Sequence, residues 1–403
     1  MLQFPKILFL LIPMTLISVA GLLGEENGLS RDILIPEQRL VLSIGEREVL
    51  NDGRSLDLAF FPDQMPVVLD REPNLRVLMA AWNRTYLMEG ADWRTLASAR
   101  EVLAPDPENE YDNGYAGIAG VHRTPDGRIY AIYHAEDHVG MPVFASGQSG
   151  YYASVAMAFS DDDGISWQKF GPVIQSKQPK TWARYPGQAD RGTGEPSLVL
   201  DPSGDWLYAY YTEHSRATTV GVYISMARAS TKIRDPSSFE FFKYHDREFS
   251  GPGLRGSDSP IIQLTTGRTT EALLPHVVFV PSLKRYVMTL SVNNWNDYLT
   301  DQGLTNSGAY IAFSRDGVNW SAPTLVHRDF VVPLTRESLC WGSTIVFDGA
   351  DALTGWFLYG FSPHWALWQS SGTPHHLAGH RVRFGKRGFH RRPSGRRGAP
   401  RAQ

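Results

Sequence analysis

The sequence predicts an all-β fold, a β-propeller of five blades, and three observations carry that prediction. The chain is rich in strand-forming aromatics and turn residues, with 17 Tyr, 19 Phe and 11 Trp beside 37 Gly and 26 Pro in 403 residues. Five hairpins with the same layout follow one another. Two Ser-Asp-Gly-Trp turns close the same half of their repeats, at Ser160 to Trp167 and Ser314 to Trp320.

Each hairpin has a first apolar run, a turn, and a second run that ends in aromatic or polar residues. The second runs begin at Arg76, Arg128, Trp206, Arg285 and Trp356, at intervals of 52, 78, 79 and 71 residues. A repeat of this length is one supersecondary unit that must stack on its neighbours to bury both faces. Radial stacking of four-stranded units leaves few exposed edges, which is the propeller solution. A two-sheet sandwich is the alternative.

The N-terminal segment reads as a leader. Lys6 precedes the apolar run Ile7 to Leu23, and Ser18-Val19-Ala20 places small residues for cleavage after Ala20, so residues 1–20 form a signal peptide and the protein is exported to the periplasm or beyond the cell. Pro13, Thr15, Ser18 and Gly21 interrupt the run, which argues against a stable membrane span. Residues 21–57 hold one strand candidate, Leu40 to Ile44. Blade five runs short after Trp356 to Trp365 and His380 to Phe384, so that strand is expected to close the last blade of a propeller over 58–384.

Residues 385–403 carry seven Lys or Arg and no acid, and their Arg, Gly and Pro content predicts a disordered tail. The net charge of −3 therefore conceals an acidic body and implies no nucleic-acid partner. Cys340 is the only cysteine, which excludes an intrachain disulfide.

The stretch Gly194 to His214 places chemistry at the open end of a hairpin. Its runs Ser197 to Leu200 and Trp206 to Tyr211 flank the turn Asp201-Pro202-Ser203-Gly204-Asp205. Glu195, Glu213 and His214 are then expected to converge. Tyr133-His134-Ala135-Glu136 repeats the pattern one blade earlier.

If the loop entering each inner strand and the loop leaving the second strand open on one face, the other unusual polar residues gather there. Asp112, Arg191, His276, Asn294, Trp295 and Trp341 join the set, with Asp70 or Trp82 from blade one. Acids, histidines and tryptophans at a concave mouth suit a glycan: paired carboxylates supply acid and base for glycosidic cleavage, and indoles stack on sugar rings. The catalytic candidates are Glu195, Glu213, Glu136 and Asp112. Binding candidates are His134, His214, Arg191, His276, Asn294, Trp295 and Trp341. The histidine spacing matches no compact metal motif, so no metal or other cofactor is expected, a calcium at the channel centre being the one exception left open.

Two resemblances sharpen this reading. Ser160-Asp161-Asp162-Asp163-Gly164-Ile165-Ser166-Trp167 resembles the Asp-box of sialidases and related propellers, a structural turn; Ser314 to Trp320 is one residue shorter and Glu89-Gly90-Ala91-Asp92-Trp93 is degenerate. Over residues 58–384 the chain resembles, in architecture, the five-bladed propeller glycoside hydrolases of families 32, 43, 68 and relatives. Gly194-Glu195-Pro196-Ser197 stands where those enzymes often carry Asp-Pro, and Glu271-Ala272-Leu273-Leu274-Pro275-His276 echoes their Glu-Gly-Pro-His. The resemblance implies three carboxylates from three blades: a base or nucleophile, a general acid, and an Asp that tunes the acid. A sialidase-like enzyme stays an alternative, although no Arg-Ile-Pro start and no arginine triad are found. A non-catalytic carbohydrate-binding propeller is the competing function.

Overall fold

The computed structural model describes residues 31–35, 38–58, 61–141, 150–180, 190–214, 222–232, 239–264, 270–294, 308–327, 339–362 and 376–386. Among them the fold is all-β apart from one 3-10 turn, Gly53–Leu56. The leader, Trp295 and tail residues 387–403 lie outside the described residues. No described helix is long and apolar enough to cross a membrane.

Strands β1 (Arg31–Ile35) and β2 (Leu40–Asp52) come first in the chain but belong to its last sheet. A first antiparallel unit follows, of β3 (Val67–Asp70), β4 (Leu75–Ala81), β5 (Arg84–Gly90) and β6 (Ala97–Leu103). The second is β7 (Tyr115–Arg123), β8 (Ile129–Asp137), β9 (Tyr151–Ser160) and β10 (Gln168–Ile174). The third is β11 (Asp190–Leu200), β12 (Trp206–Glu213), β13 (Tyr223–Ser230), β14 (Phe242–His245) and β15 (Glu248–Pro252). A short parallel pairing of β11 with β9, Asp190 to Gly192 against Tyr151 to Ala153, links these two units into one nine-stranded sheet, an eight-stranded path with β10 beside β9.

The fourth unit is β16 (Thr270–Val280), β17 (Arg285–Asn294), β18 (Gly308–Ser314) and β19 (Thr324–His327). In the last, β20 (Leu339–Phe347), β21 (Thr354–Ser362) and β22 (His376–Lys386) are followed by β2 and β1, with Leu40 opposite Lys386 and Ile44 opposite Val382. That pairing spans the two ends of the described chain.

Alternation along the strands sends successive side chains to opposite faces, and both faces of the central strands are apolar. The result, among the described residues, is that the five larger apolar clusters are each shared by two units. Leu78 shares a cluster with Tyr133, Ile132 with Tyr211, Tyr210 with Met288, and Ile311 with Phe357. The fifth cluster joins Leu358 of the last unit to Met79 of the first. Complete burial of one such side chain stabilises the fold by roughly 1.5–3 kcal/mol, so these seams hold the units together.

A cavity of about 350 Å³ is lined by the first strands of all five units, through Val67, Gly120, Leu198, Val277 and Ile345. Its lining is chiefly aliphatic, with His276 and Arg71 as the polar side chains. Calcium takes six to eight oxygen ligands, and these residues do not fit it. Among the described residues no group of three or more His, Cys, Asp or Glu could hold a metal ion.

The two Ser-Asp-Gly-Trp turns share one hydrogen-bond pattern. Asp162 Oδ1 accepts from Ser160 Oγ and Ser166 N, as Asp316 Oδ1 accepts from Ser314 Oγ and Asn319 N. Trp167 and Trp320 each donate Nε1 to a turn carbonyl, Gly164 and Gly317, at 3.1 Å. These contacts tie off loops and leave the Asp side chains no role in a site.

Candidate active site

A bulge shapes the entry to three of the first strands. One extra residue interrupts pairing between Gly194 and Ser197, between Leu273 and His276, and between Trp341 and Thr344. Each bulge contains a residue in the left-handed region: Glu195 at φ 51°, Leu274 at 55° and Gly342 at 58°. Glycine adopts that conformation freely, whereas Glu and Leu incur about 1 kcal/mol or more. The strained position in the third unit is the one that carries a carboxyl group.

Glu195 is buried and held from three units, its own and the two beside it. Its backbone N–H donates to His134 Nδ1 at 2.9 Å, and its Oε2 accepts from Thr212 Oγ1 at 2.7 Å and from Leu274 N at 3.3 Å. His214 Nε2 lies 3.7 Å from the same oxygen. Burial raises the Glu195 pKa, with Glu136 adding to it, against the charge of His134 and the donors Thr212 and Leu274.

Glu136 is the opposite case. His134 Nε2 lies 2.9 Å from its Oε1 and His138 Nε2 lies 2.6 Å from its Oε2. Burial acts to raise this carboxyl, but the two histidines outweigh it and bring it down to about 2. Glu136 is therefore a fixed anion.

Burial opposes charge on His134, yet the Glu136 hydrogen bond and the negative charges of Glu136, Glu195 and Asp63 raise its pKa overall. A second proton would have to displace the Glu195 amide from Nδ1. The hydrogen bonds thus favour the neutral Nε2–H tautomer, and Tyr115 and Tyr151 pack edge-on against the ring at 5.2 and 5.9 Å.

The third carboxyl is Asp63. Burial, reinforced by Glu136 and Glu195, pushes it from 3.8 up to about 7 despite the hydrogen bond from Tyr115 and the charge of His134. The Tyr115 hydroxyl is itself buried beside it, and burial together with Asp63 raises its pKa well above the ordinary phenol value. Asp63, Glu136 and Glu195 thus come from the entry of the first unit, β8 and β11, and act on one another electrostatically.

The structure changes several expectations. Glu195 and Glu213 do not pair: Thr212 turns toward Glu195, so Glu213 turns to the other face of β12, where its Oε1 accepts from Ser176 Oγ at 3.0 Å. Asp112 is fully buried, 2.6 Å from Lys169 Nζ and bonded to Tyr133 Oη and Asn109 Nδ2, which makes it a structural ion pair. Asp70 sits at the β3–β4 turn with Arg76 at 2.8 Å, beside the turn that contains Asp163 and away from Asp63.

His276 lines the channel with its Nδ1 2.6 Å from Thr344 Oγ1, and burial lowers its pKa to about 4. Glu271 stands opposite Asn293, three residues before the bulge residue Leu274 that matches Glu195, so the echo of Glu-Gly-Pro-His is out of register. Arg191, Asn294 and Trp341 fall in β11, β17 and β20, with side chains outside the described residues.

Asp63, Tyr115, Tyr151 and Thr212 are site residues that the sequence does not single out. Asp63 has a usable signal, a polar residue within Phe61-Pro62-Asp63-Gln64-Met65-Pro66 just ahead of the first strand. The other three look like ordinary strand residues.

Gly194 offers a direct check on the placement of His134. A Cβ at this position would lie 2.5 Å from His134 Cε1 and 2.6 Å from its Nδ1. Gly194→Ala is expected to push the imidazole off the Glu195 amide and reduce turnover at least about tenfold, since misplacement by about 1 Å can cost roughly a hundredfold. Thermal unfolding within a few degrees of wild type would tie the loss to the site.

No family model and no curated protein matches the chain. The all-β arrangement is nonetheless similar in fold to solved structures. A structure described as an RGII complex is 13% identical with a TM-score of 0.52, covering 80% of this chain and 87% of its own. One described as a glycoside hydrolase is 12% identical with a TM-score of 0.52, covering 80% and 86%. An α-L-arabinofuranosidase from Lactobacillus brevis is 10% identical with a TM-score of 0.50, covering 80% and 90%. At such identities the likeness is one of fold.

Proposed function

We propose that the protein is an exported glycoside hydrolase built on a five-bladed β-propeller, with Asp63 and Glu195 as its acid–base couple. Five antiparallel units, five seams that return from the last unit to the first, and a cavity lined by all five first strands support the blade count. The leader at residues 1–20 supports export. The observation that carries the chemistry is the divergence of three neighbouring carboxyls, with Glu136 driven down and Asp63 and Glu195 driven up.

Divergent pKa values in one site separate the roles of acid and base. Glu136, held ionised by its hydrogen bonds with His134 and His138, is the permanent anion that keeps its neighbours from ionising together. Asp63, raised to about 7, is then the carboxyl that gains and loses its proton near neutrality, with Glu195 as its partner. One protonates the glycosidic oxygen as the C1–O bond breaks. The other takes the proton of the attacking water or bonds to C1 directly. His134 and His138 bind Glu136, and Thr212 with the Leu274 amide orients Glu195.

A neighbour in fold acts on arabinofuranosides, so pentofuranosides head the substrate panel. Glu195→Gln is expected to reduce kcat/KM on aryl glycosides by about 10²–10⁴. A phenol of low pKa as leaving group restores the rate if Glu195 delivers the proton and leaves it low if Glu195 is the base or nucleophile. Unchanged activity in Glu195→Gln would sink the assignment, and binding without turnover by the wild type would make the protein a carbohydrate-binding propeller.

A further inference from the structure

The end of β17 remote from Asn294 opens on a different feature. Arg285 starts this strand, which at about 3.3 Å per residue separates its two ends by roughly 30 Å. Second strands β8 and β12 run toward the carboxyl site, so the beginning of β17 belongs to the opposite face. There a cleft of about 760 Å³ is lined by Arg39, Arg285 and Arg315 together with Asp316, Phe313 and Trp320.

The three guanidinium groups are not neutralised. No carboxylate among the described residues lies within ion-pair distance of Arg39, Arg285 or Arg315. The acid in the cleft, Asp316, is committed to its own turn: Oδ1 accepts from Ser314 Oγ, Val318 N and Asn319 N, and Oδ2 from Asn319 Nδ2. Arg285 donates to the Lys284 carbonyl, which carries no full charge. Burial lowers the Arg285 pKa and the charge of Arg315 lowers it further, so the two cations repel across the cleft. Other surface arginines of this protein are paired with carboxylates, as Arg381 with Asp348 and Arg128 with Asp161 illustrate.

Beside these cations stands a fixed indole. Trp320 donates Nε1 to Gly317 O and packs edge-on against Tyr210 at 5.8 Å, which holds the ring in place while leaving it half-buried in the cleft wall. Arginine forks match planar carboxylates, and a preorganised indole matches the apolar face of a sugar.

We propose that this cleft is a second saccharide site, separate from the carboxyl cluster, that binds a uronate-bearing glycan with its carboxylate among Arg39, Arg285 and Arg315 and its ring against Trp320. The site requires no bond cleavage, and its existence does not depend on the hydrolase reading. It would retain a polymeric acidic glycan on the face opposite the catalytic mouth.

Calorimetry with trigalacturonate, arabinotriose and sodium sulfate as probes tests this on the full chain. Wild type is expected to bind trigalacturonate, more weakly as salt rises, and Arg39→Ala/Arg315→Ala to weaken binding roughly tenfold or more. Both arginines are exposed, so the variant should melt with wild type and hydrolyse small aryl glycosides at the same rate. Equal affinity in variant and wild type, or no binding of trigalacturonate, overturns the proposal. Sulfate as tight as trigalacturonate overturns the saccharide assignment, and arabinotriose as tight overturns the role of charge. The binding readout stands whether or not the protein turns over any glycoside, so this proposal and the hydrolase reading fail separately.

Discussion

Asp63→Asn is expected to abolish most glycoside turnover while making the protein harder to unfold at pH 8. Both effects follow from one displaced pKa. Burial, with Glu136 and Glu195 nearby, raises the folded-state pKa of Asp63 to about 7, against an ordinary 3.8. A group raised on folding contributes stability that is fully present below its unfolded pKa and is lost as pH climbs through the folded value. For Asp63 the loss runs from about pH 4 to about pH 7, and at 1.36 kcal/mol per unit it reaches about 2–4 kcal/mol once partial exposure is allowed for.

Asparagine fills the same space and never has to ionise. Denaturant melts should therefore show the variant more stable than wild type at pH 8 and about equal at pH 4. Activity should fall by about 10²–10⁴, the usual contribution of a positioned acid or base. The limb of the pH–rate profile near pH 7 should disappear with it. A variant that loses activity but shows the same stability difference at both pH values would mean that Asp63 is not held protonated by its surroundings.

The way these residues escape or yield to sequence reading has a physical cause in each case. Hairpins are legible because turn chemistry and both runs are contiguous, as in Asp201-Pro202-Ser203-Gly204 between β11 and β12. Side-chain direction is not, because one bulge residue resets the alternation. Glu195 sits in such a bulge, so it faces Thr212 while Glu213 faces Ser176, although the hairpin brings their backbones together.

Contacts between units are the least visible. The Glu195 amide and His134 Nδ1 are 61 residues apart, and no local pattern announces their hydrogen bond. Strand length obscures Asp63. β3 is only four residues long and ends at Asp70, so the acid that stands out is at the far end of the strand while the site uses the one before it.

Lys243 is the clearest residue that sequence reading could not have flagged, and its loss is expected to have the largest effect on stability. Lysine is almost never fully buried unless paired, so a Lys in a short strand reads as surface. Here it has no exposed area, and Nζ donates to the carbonyls of Gln175 and Gly256 at 2.7 and 3.1 Å with Asp258 Oδ2 at 3.6 Å. Tyr211 and Tyr223 complete the cluster by donating to the two Asp258 oxygens at 2.7 and 2.9 Å.

Lys243→Met keeps most of the volume but strands the Asp258 charge and two carbonyls, and should destabilise the fold by about 3–5 kcal/mol. Adding Asp258→Asn removes the stranded charge and should recover part of that loss; a double variant no better than the single one would show that packing, not charge, sets the cost. The consequence for the site is indirect. Tyr211 precedes Thr212, so the cluster backs the segment of β12 whose Thr212 hydroxyl holds Glu195. Once measured activity is corrected for the folded fraction, Lys243→Met should change turnover far less than Asp63→Asn, since Lys243 stiffens the support of Glu195 without touching the carboxyls themselves.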